Sequence, residues 1–159
     1  MVSSGSKMLD ESLGGGYPID CVTSIYGPAG SGKTLLGAIC AINIAKKEKV
    51  VYIDADKKFS ISRLVQINNN KDVLNNISFL KPDNFEKQTL LLEKILSMDQ
   101  LGLVVLDSMS KLYRISLGDK NFPEVNQELS KQMELLRQIS KKNKIPVLVI
   151  NSLSADIGK

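Results

Sequence analysis

The chain has 159 residues, 43% of them hydrophobic, and 21 Lys+Arg against 17 Asp+Glu give a formal charge of +4 and a pI near 9.0. This is the length of one domain, with an ordinary core and a mild basic excess that is compatible with a polyanion partner but does not demand one. Histidine is absent, which excludes histidine acid/base chemistry and the commonest zinc sites; Cys21 and Cys40 have neither metal-ligand spacing nor a disulfide framework; and there is no bilayer-spanning or signal-type run, so a soluble, reduced, cytoplasmic protein without a membrane partner is expected.

In chain order, Lys7 to Leu13 predicts a short helix, stopped by Gly14-Gly15-Gly16. Cys21 to Tyr26 is rich in β-branched and aromatic residues and predicts a buried strand. Leu35 to Lys47 predicts a helix with lysines in its last turns, where the helix dipole favours cations. Lys49 to Asp54 is nearly all apolar and predicts a strand covered on both faces, ending in Asp54-Ala55-Asp56. Phe59 to Ile67 predicts a helix broken by Asn68-Asn69-Asn70, and Ile77 to Leu80 a strand at or near an edge, because Pro82 ends it. Phe85 to Met98 has apolar residues at 85, 90, 91, 92, 95, 96 and 98, the pattern of an amphipathic helix with a broad buried face.

Leu103 to Asp107 then runs apolar into an aspartate, the form of a Walker B strand. Ser108 to Arg114 continues into a glycine-containing loop, Ile115 to Phe122. Pro123 opens a helix with Leu129, Met133, Leu136, Arg137 and Ser140 at helical spacing and Lys141, Lys142 and Lys144 at its end. Ile145 to Asn151 predicts the last core strand. Strands alternating with helices imply a mostly parallel α/β sheet with helices on both faces, within one domain over 1–159.

Between the first strand and its helix stands Gly27-Pro28-Ala29-Gly30-Ser31-Gly32-Lys33-Thr34, a full match to G-x-x-x-x-G-K-[ST]. Its glycines let backbone N–H groups turn inward around phosphate oxygens at the positive end of a helix. Lys33 would reach the β and γ phosphates of ATP. Thr34 would offer its hydroxyl to Mg2+, with Asp107 holding the same ion through water. An apolar strand ending in Asp is also compatible with a capped helix start, and Asp56, beside Lys57 and Lys58, with a solvated turn.

Gly14-Gly15-Gly16, GPAGSGKT, Tyr52 to Phe59 (YIDADKKF) and Val105 to Arg114 (VLDSMSKLYR), in that order, resemble the core ATPase domain of the RecA/RadA recombinase family. The absence of a helix-hairpin-helix segment before the core, the run Asn76 to Gln88 and the Leu-Tyr-Arg after the Walker B serine point to an archaeal branch of it. The resemblance implies a three-layer P-loop NTPase with a RecA-like sheet that ends, at Lys159, short of the family's last strands. It implies an ATP-binding accessory protein of DNA repair and homologous recombination that binds DNA weakly and without sequence preference. Asp56 would orient the attacking water, and Ser152 would sense the γ phosphate. The family usually places a glutamate and a glutamine at these two positions, so weak hydrolysis is expected, with a non-hydrolysing, nucleotide-dependent regulatory module as the alternative. A small-molecule P-loop kinase is a third reading, disfavoured by the absence of an arginine-rich lid. Lys111, Arg114 and Lys120 fall at the family's first DNA-binding loop and are candidate phosphate contacts, although loop lysines are commonly just solvated. An unpaired first strand would favour self-association or a protein partner at that sheet edge.

Overall fold

A computed structural model describes residues 1–119 and 121–152. Five strands form one sheet: β1 (Val22–Gly27), β2 (Lys49–Asp54), β3 (Ile77–Leu80), β4 (Leu101–Asp107) and β5 (Val147–Ser152). Their spatial order is β1-β5-β4-β2-β3, and every pairing is parallel. The helices between them are α1 (Lys7–Ser12), α2 (Lys33–Ala45), α3 (Ile61–Ile67), α4 (Lys71–Asn75), α5 (Phe85–Leu96), α6 (Met109–Asp119) and α7 (Phe122–Asn143).

Strand alternation divides the core in two. Val50, Tyr52, Leu103, Val105, Leu148 and Ile150 face α2, Leu64 of α3 and Val73 of α4. Val51, Ile53, Val104, Leu106, Val147 and Val149 face α5, α6 and α7. Both faces of β2, β4 and β5 are therefore dry, the condition that makes parallel strands read as unbroken apolar runs. The result is a three-layer α/β architecture, as expected. β3 lies at one edge, also as expected, and β1 at the other.

Several elements depart from the sequence reading. α2 starts two residues early, inside the glycine-rich motif, because Gly32 takes the left-handed conformation (φ 88°) and caps it. Lys46 is its C-cap, so the lysines flank the last turn and do not lie in it. α3 starts at Ile61, with the Ser60 side chain accepting from the Arg63 N–H. The asparagine cluster breaks one helix and starts another, since Asn70 accepts from the N–H groups of Asp72 and Val73 and caps α4.

The expected glycine-containing loop after Arg114 is instead the second half of α6, which continues through Gly118 to Asp119. Met109 and Leu112 anchor that helix in the core, and tertiary burial outweighs the modest helix penalty of one glycine. The faces of α5 and α7 are also displaced. Leu90 is 55% exposed and Met133 37% exposed, whereas Gln88 and Gln132 are fully buried. Gln88 Nε2 donates to Gln132 Oε1 at 2.7 Å, and Gln132 Nε2 donates to the Phe85 carbonyl and to Thr89 Oγ1. Polar groups that hydrogen-bond to one another can occupy a core position that counting apolar residues misses, even though Gln88 Oε1 is left without a partner among the described residues.

Candidate nucleotide site

The sheet register brings the site together. Gly27 lies opposite Ser152, Asp107 opposite Ile150, and Asp54 opposite Asp107, so the strand ends converge on one rim. In open parallel sheets this carboxyl-end rim is where ligands bind. A cleft of about 480 Å³ opens there, lined by the loop from Ala29 to Thr34, by Asp54, Asp56 and Asp107, and by Ser152. α2 approaches the sheet closely behind it. A Cβ on Gly37 would stand 2.9 Å from Ile150 Cδ1 and 3.4 Å from the Tyr52 hydroxyl.

Thr34 Oγ1 donates to Asp107 Oδ2 at 2.7 Å across 73 positions of sequence. These are two hard oxygen donors side by side at the foot of the cleft, a pair suited to Mg2+. Among the described residues no group of three or more His, Cys, Asp or Glu could hold a metal, so such an ion would depend on phosphate and water for its other ligands. The Lys33 ammonium donates to the carbonyls of Gly27 (2.9 Å) and Pro28 (2.6 Å) and to Ser31 Oγ (3.3 Å), folded back over the loop. A ring of neutral acceptors holds the charge at the cradle without neutralising it.

Asp107 has a further partner that the sequence did not announce. The buried Tyr52 hydroxyl donates to the same Oδ2 at 2.9 Å. Burial raises the Asp107 carboxyl above its usual range, the Thr34 and Tyr52 hydrogen bonds pull it down, and the Asp56 and Asp54 charges add to the rise. Burial likewise raises the Tyr52 phenol, reinforced by Asp107, so it stays a donor. The only sequence sign of this role was a tyrosine inside an otherwise aliphatic strand.

Asp56 reaches the cleft but is already engaged. Its Oδ1 accepts from Ser108 Oγ at 2.7 Å, and its carbonyl accepts from Lys111 Nζ at 2.8 Å. Asp54 is almost fully buried and holds the turn after β2 through the N–H groups of Lys58 and Phe59, with Lys81 Nζ 3.6 Å away. Ser152 ends β5 on the cleft wall.

The three candidate DNA contacts separate. Lys111 turns to the Asp56 loop, Arg114 is exposed on α6 with Nε donating to the Ser110 carbonyl, and Lys120 lies outside the described residues. One wall of the cleft was not anticipated: Lys58, Phe59, Ser60, Arg63 and Ile67. Nothing in the sequence pattern placed α3 there, because its position depends on how it crosses the sheet.

A parallel sheet in this order, with a glycine-rich phosphate loop and an aspartate on adjoining strand ends, defines a P-loop nucleotide-binding protein of the RecA kind. The Rad51 family model matches residues 1–159, and the chain belongs to that family. Within it the chain is similar to the DNA repair and recombination protein RadB of Methanococcus maripaludis, 35% identical over 151 residues that cover 92% of this chain and 70% of the relative. RadB of Thermococcus kodakarensis is 35% identical over 163 residues, covering 98% of this chain and 72% of that one. The crystal structure of the RadB recombinase superposes with a TM-score of 0.85 at 33% identity, covering 99% of this chain and 73% of that chain.

Proposed function

We propose that this chain is a RadB-like, ATP-binding accessory protein of DNA repair and homologous recombination that binds DNA weakly and hydrolyses ATP slowly. The observation that carries the nucleotide assignment is the pairing of Thr34 with Asp107, which joins the phosphate loop to the neighbouring strand end. Gly27, Pro28, Ala29, Gly30, Ser31, Gly32, Lys33 and Thr34 would surround the phosphates, and Thr34 and Asp107 would hold Mg2+, whose charge screens the phosphate oxygens. Arg63 and Phe59 offer a cationic and an apolar surface on the far wall, which suits a flat base.

Asp56 would orient the attacking water and Ser152 would serve as a weak sensor of the γ phosphate, a reading supported by both lining the cleft. The non-hydrolysing alternative rests on the shorter Asp56 and Ser152 side chains standing where the family usually has glutamate and glutamine. DNA contact through the exposed Arg114, with Lys111 and Lys120 as further candidates, would be electrostatic and sequence-nonspecific. The proposed location is the cytoplasm; no helix among the described residues is long and apolar enough to cross a membrane.

Equilibrium binding of magnesium-ATP tests the nucleotide assignment, with Lys33→Ala expected to lose at least about tenfold in affinity through a lost charge-assisted contact. Equal affinity in parent and variant would remove the assignment. Single-turnover ATP cleavage with and without single-stranded DNA then separates slow hydrolysis from the regulatory reading.

A further inference from the structure

We propose that Lys111, assisted by Ser108, is a positioning residue for Asp56, tying helix α6 to the nucleotide cleft; this rests on the reading of Asp56 as the water-orienting group. α6 starts at Met109, two residues beyond Asp107, while Asp56 lies two residues beyond Asp54 on the neighbouring strand. Because Asp54 and Asp107 are register partners, the two strand exits run side by side. Residues 52 and 55 positions away in sequence thereby come within hydrogen-bond distance of Asp56.

Asp56 is held at three atoms. Its N–H donates to the Asp107 carbonyl at 3.3 Å, its Oδ1 accepts from Ser108 Oγ at 2.7 Å, and its carbonyl accepts from Lys111 Nζ at 2.8 Å. The next residue, Lys57, is in the left-handed region at φ 55°, so the chain turns sharply just after the tether. Neighbouring lysines have different partners: Lys57 and Lys87 pair with Asp83, and Lys81 with Asp54. Lys111 instead places its ammonium on a backbone carbonyl, where it fixes the position of the chain that carries the carboxylate.

The tether makes two statements about behaviour. Movement of α6, the helix that carries Arg114, would displace Asp56 directly. Loss of the tether would impair turnover without touching the phosphate loop, since the Lys33 ammonium is held by Gly27, Pro28 and Ser31, and the Asp107 carboxylate by Thr34 and Tyr52.

The experiment uses the full chain as parent, Lys111→Met, Lys111→Arg, Ser108→Ala and Asp56→Ala. ATP affinity, single-turnover cleavage, single-stranded DNA affinity and amide hydrogen exchange are measured on each. In Lys111→Met, exchange at residues 55–59 should accelerate while the interior of β2 is unchanged, ATP affinity should hold, and cleavage should fall by about tenfold or more, as misplacement of a reacting group by about 1 Å allows. Lys111→Arg, which keeps a donor, should recover most of the loss, and Ser108→Ala should release the carboxylate with a smaller effect on exchange. Unchanged exchange at 55–59 in Lys111→Met overturns the proposal whatever cleavage does, and a loss of DNA affinity alone would return Lys111 to the polymer. If Asp56→Ala cleaves ATP as fast as the parent, the catalytic reading of Asp56 fails, while the exchange data still judge the tether.

Discussion

Tyr52→Phe removes a single oxygen from the centre of the molecule. The ring of Tyr52 packs against Phe59 and Phe79, with centroids 4.8 and 5.4 Å away, and phenylalanine keeps both contacts. What disappears is the 2.9 Å donation to Asp107 Oδ2, in a place where no solvent reaches Tyr52. A hydrogen bond to a charged group is worth about 1.5–3 kcal/mol, and for a chain of this size each kcal/mol moves Tm by about 2–4 °C. The variant should therefore melt about 3–12 °C lower at neutral pH.

The sign of its pH dependence follows from Asp107. Burial holds that carboxyl above its unfolded value, so ionising it costs stability, and the cost is present above the folded pKa and absent below the unfolded one. Removing the Tyr52 donor raises the folded value further. The deficit of Tyr52→Phe should thus be largest at neutral pH and shrink as acid protonates Asp107. Thermal melts between about pH 4.5 and 8, repeated in an Asp107→Asn background, measure it. A neutral-pH Tm within about 1 °C of the parent, or a deficit equal at every pH, would refute the coupling.

Asp56→Glu should raise ATP turnover by roughly tenfold or more in single-turnover assays, because the added methylene carries the carboxylate about 1.5 Å further into the cleft; no change, or a fall, would count against a catalytic role there. DNA affinity should be weak and drop steeply along a salt series, with little difference between sequences, since α6 presents scattered cations and no pattern for reading base edges; tight binding that survives high salt would contradict this. β1 pairs only with β5 among the described residues, and Tyr26 on it is 70% exposed. Sedimentation across a concentration series should show self-association through that edge, and a monomer at all concentrations would argue against it.

Some of this protein is decided by short stretches of chain. The phosphate loop needs only glycines, a lysine and a threonine between a strand and a helix, so Gly27 to Thr34 can be read where they stand. The apolar runs of β2 and β4 are equally local signals, because strands covered on both faces tolerate no polar interruption. Asn70 as the start of α4 is also legible in principle, since an asparagine that breaks one helix has the side-chain acceptor that caps the next.

What remained for tertiary structure is every decision about neighbours. Periodicity could not exclude Leu90 from the buried face of α5, because α5 meets α7 through the hydrogen-bonded Gln88 and Gln132, which no count of apolar residues would bury. Gly118 ends nothing, since Met109 and Leu112 already hold α6 against the core. Tyr52 becomes a partner of Asp107, and Lys111 a partner of Asp56, only once β2 and β4 lie side by side in one register. Local sequence sets the chemistry each residue can offer. Strand order and register set which of those groups meet, because hydrogen bonds act over about 3 Å while the residues concerned lie more than fifty positions apart in sequence.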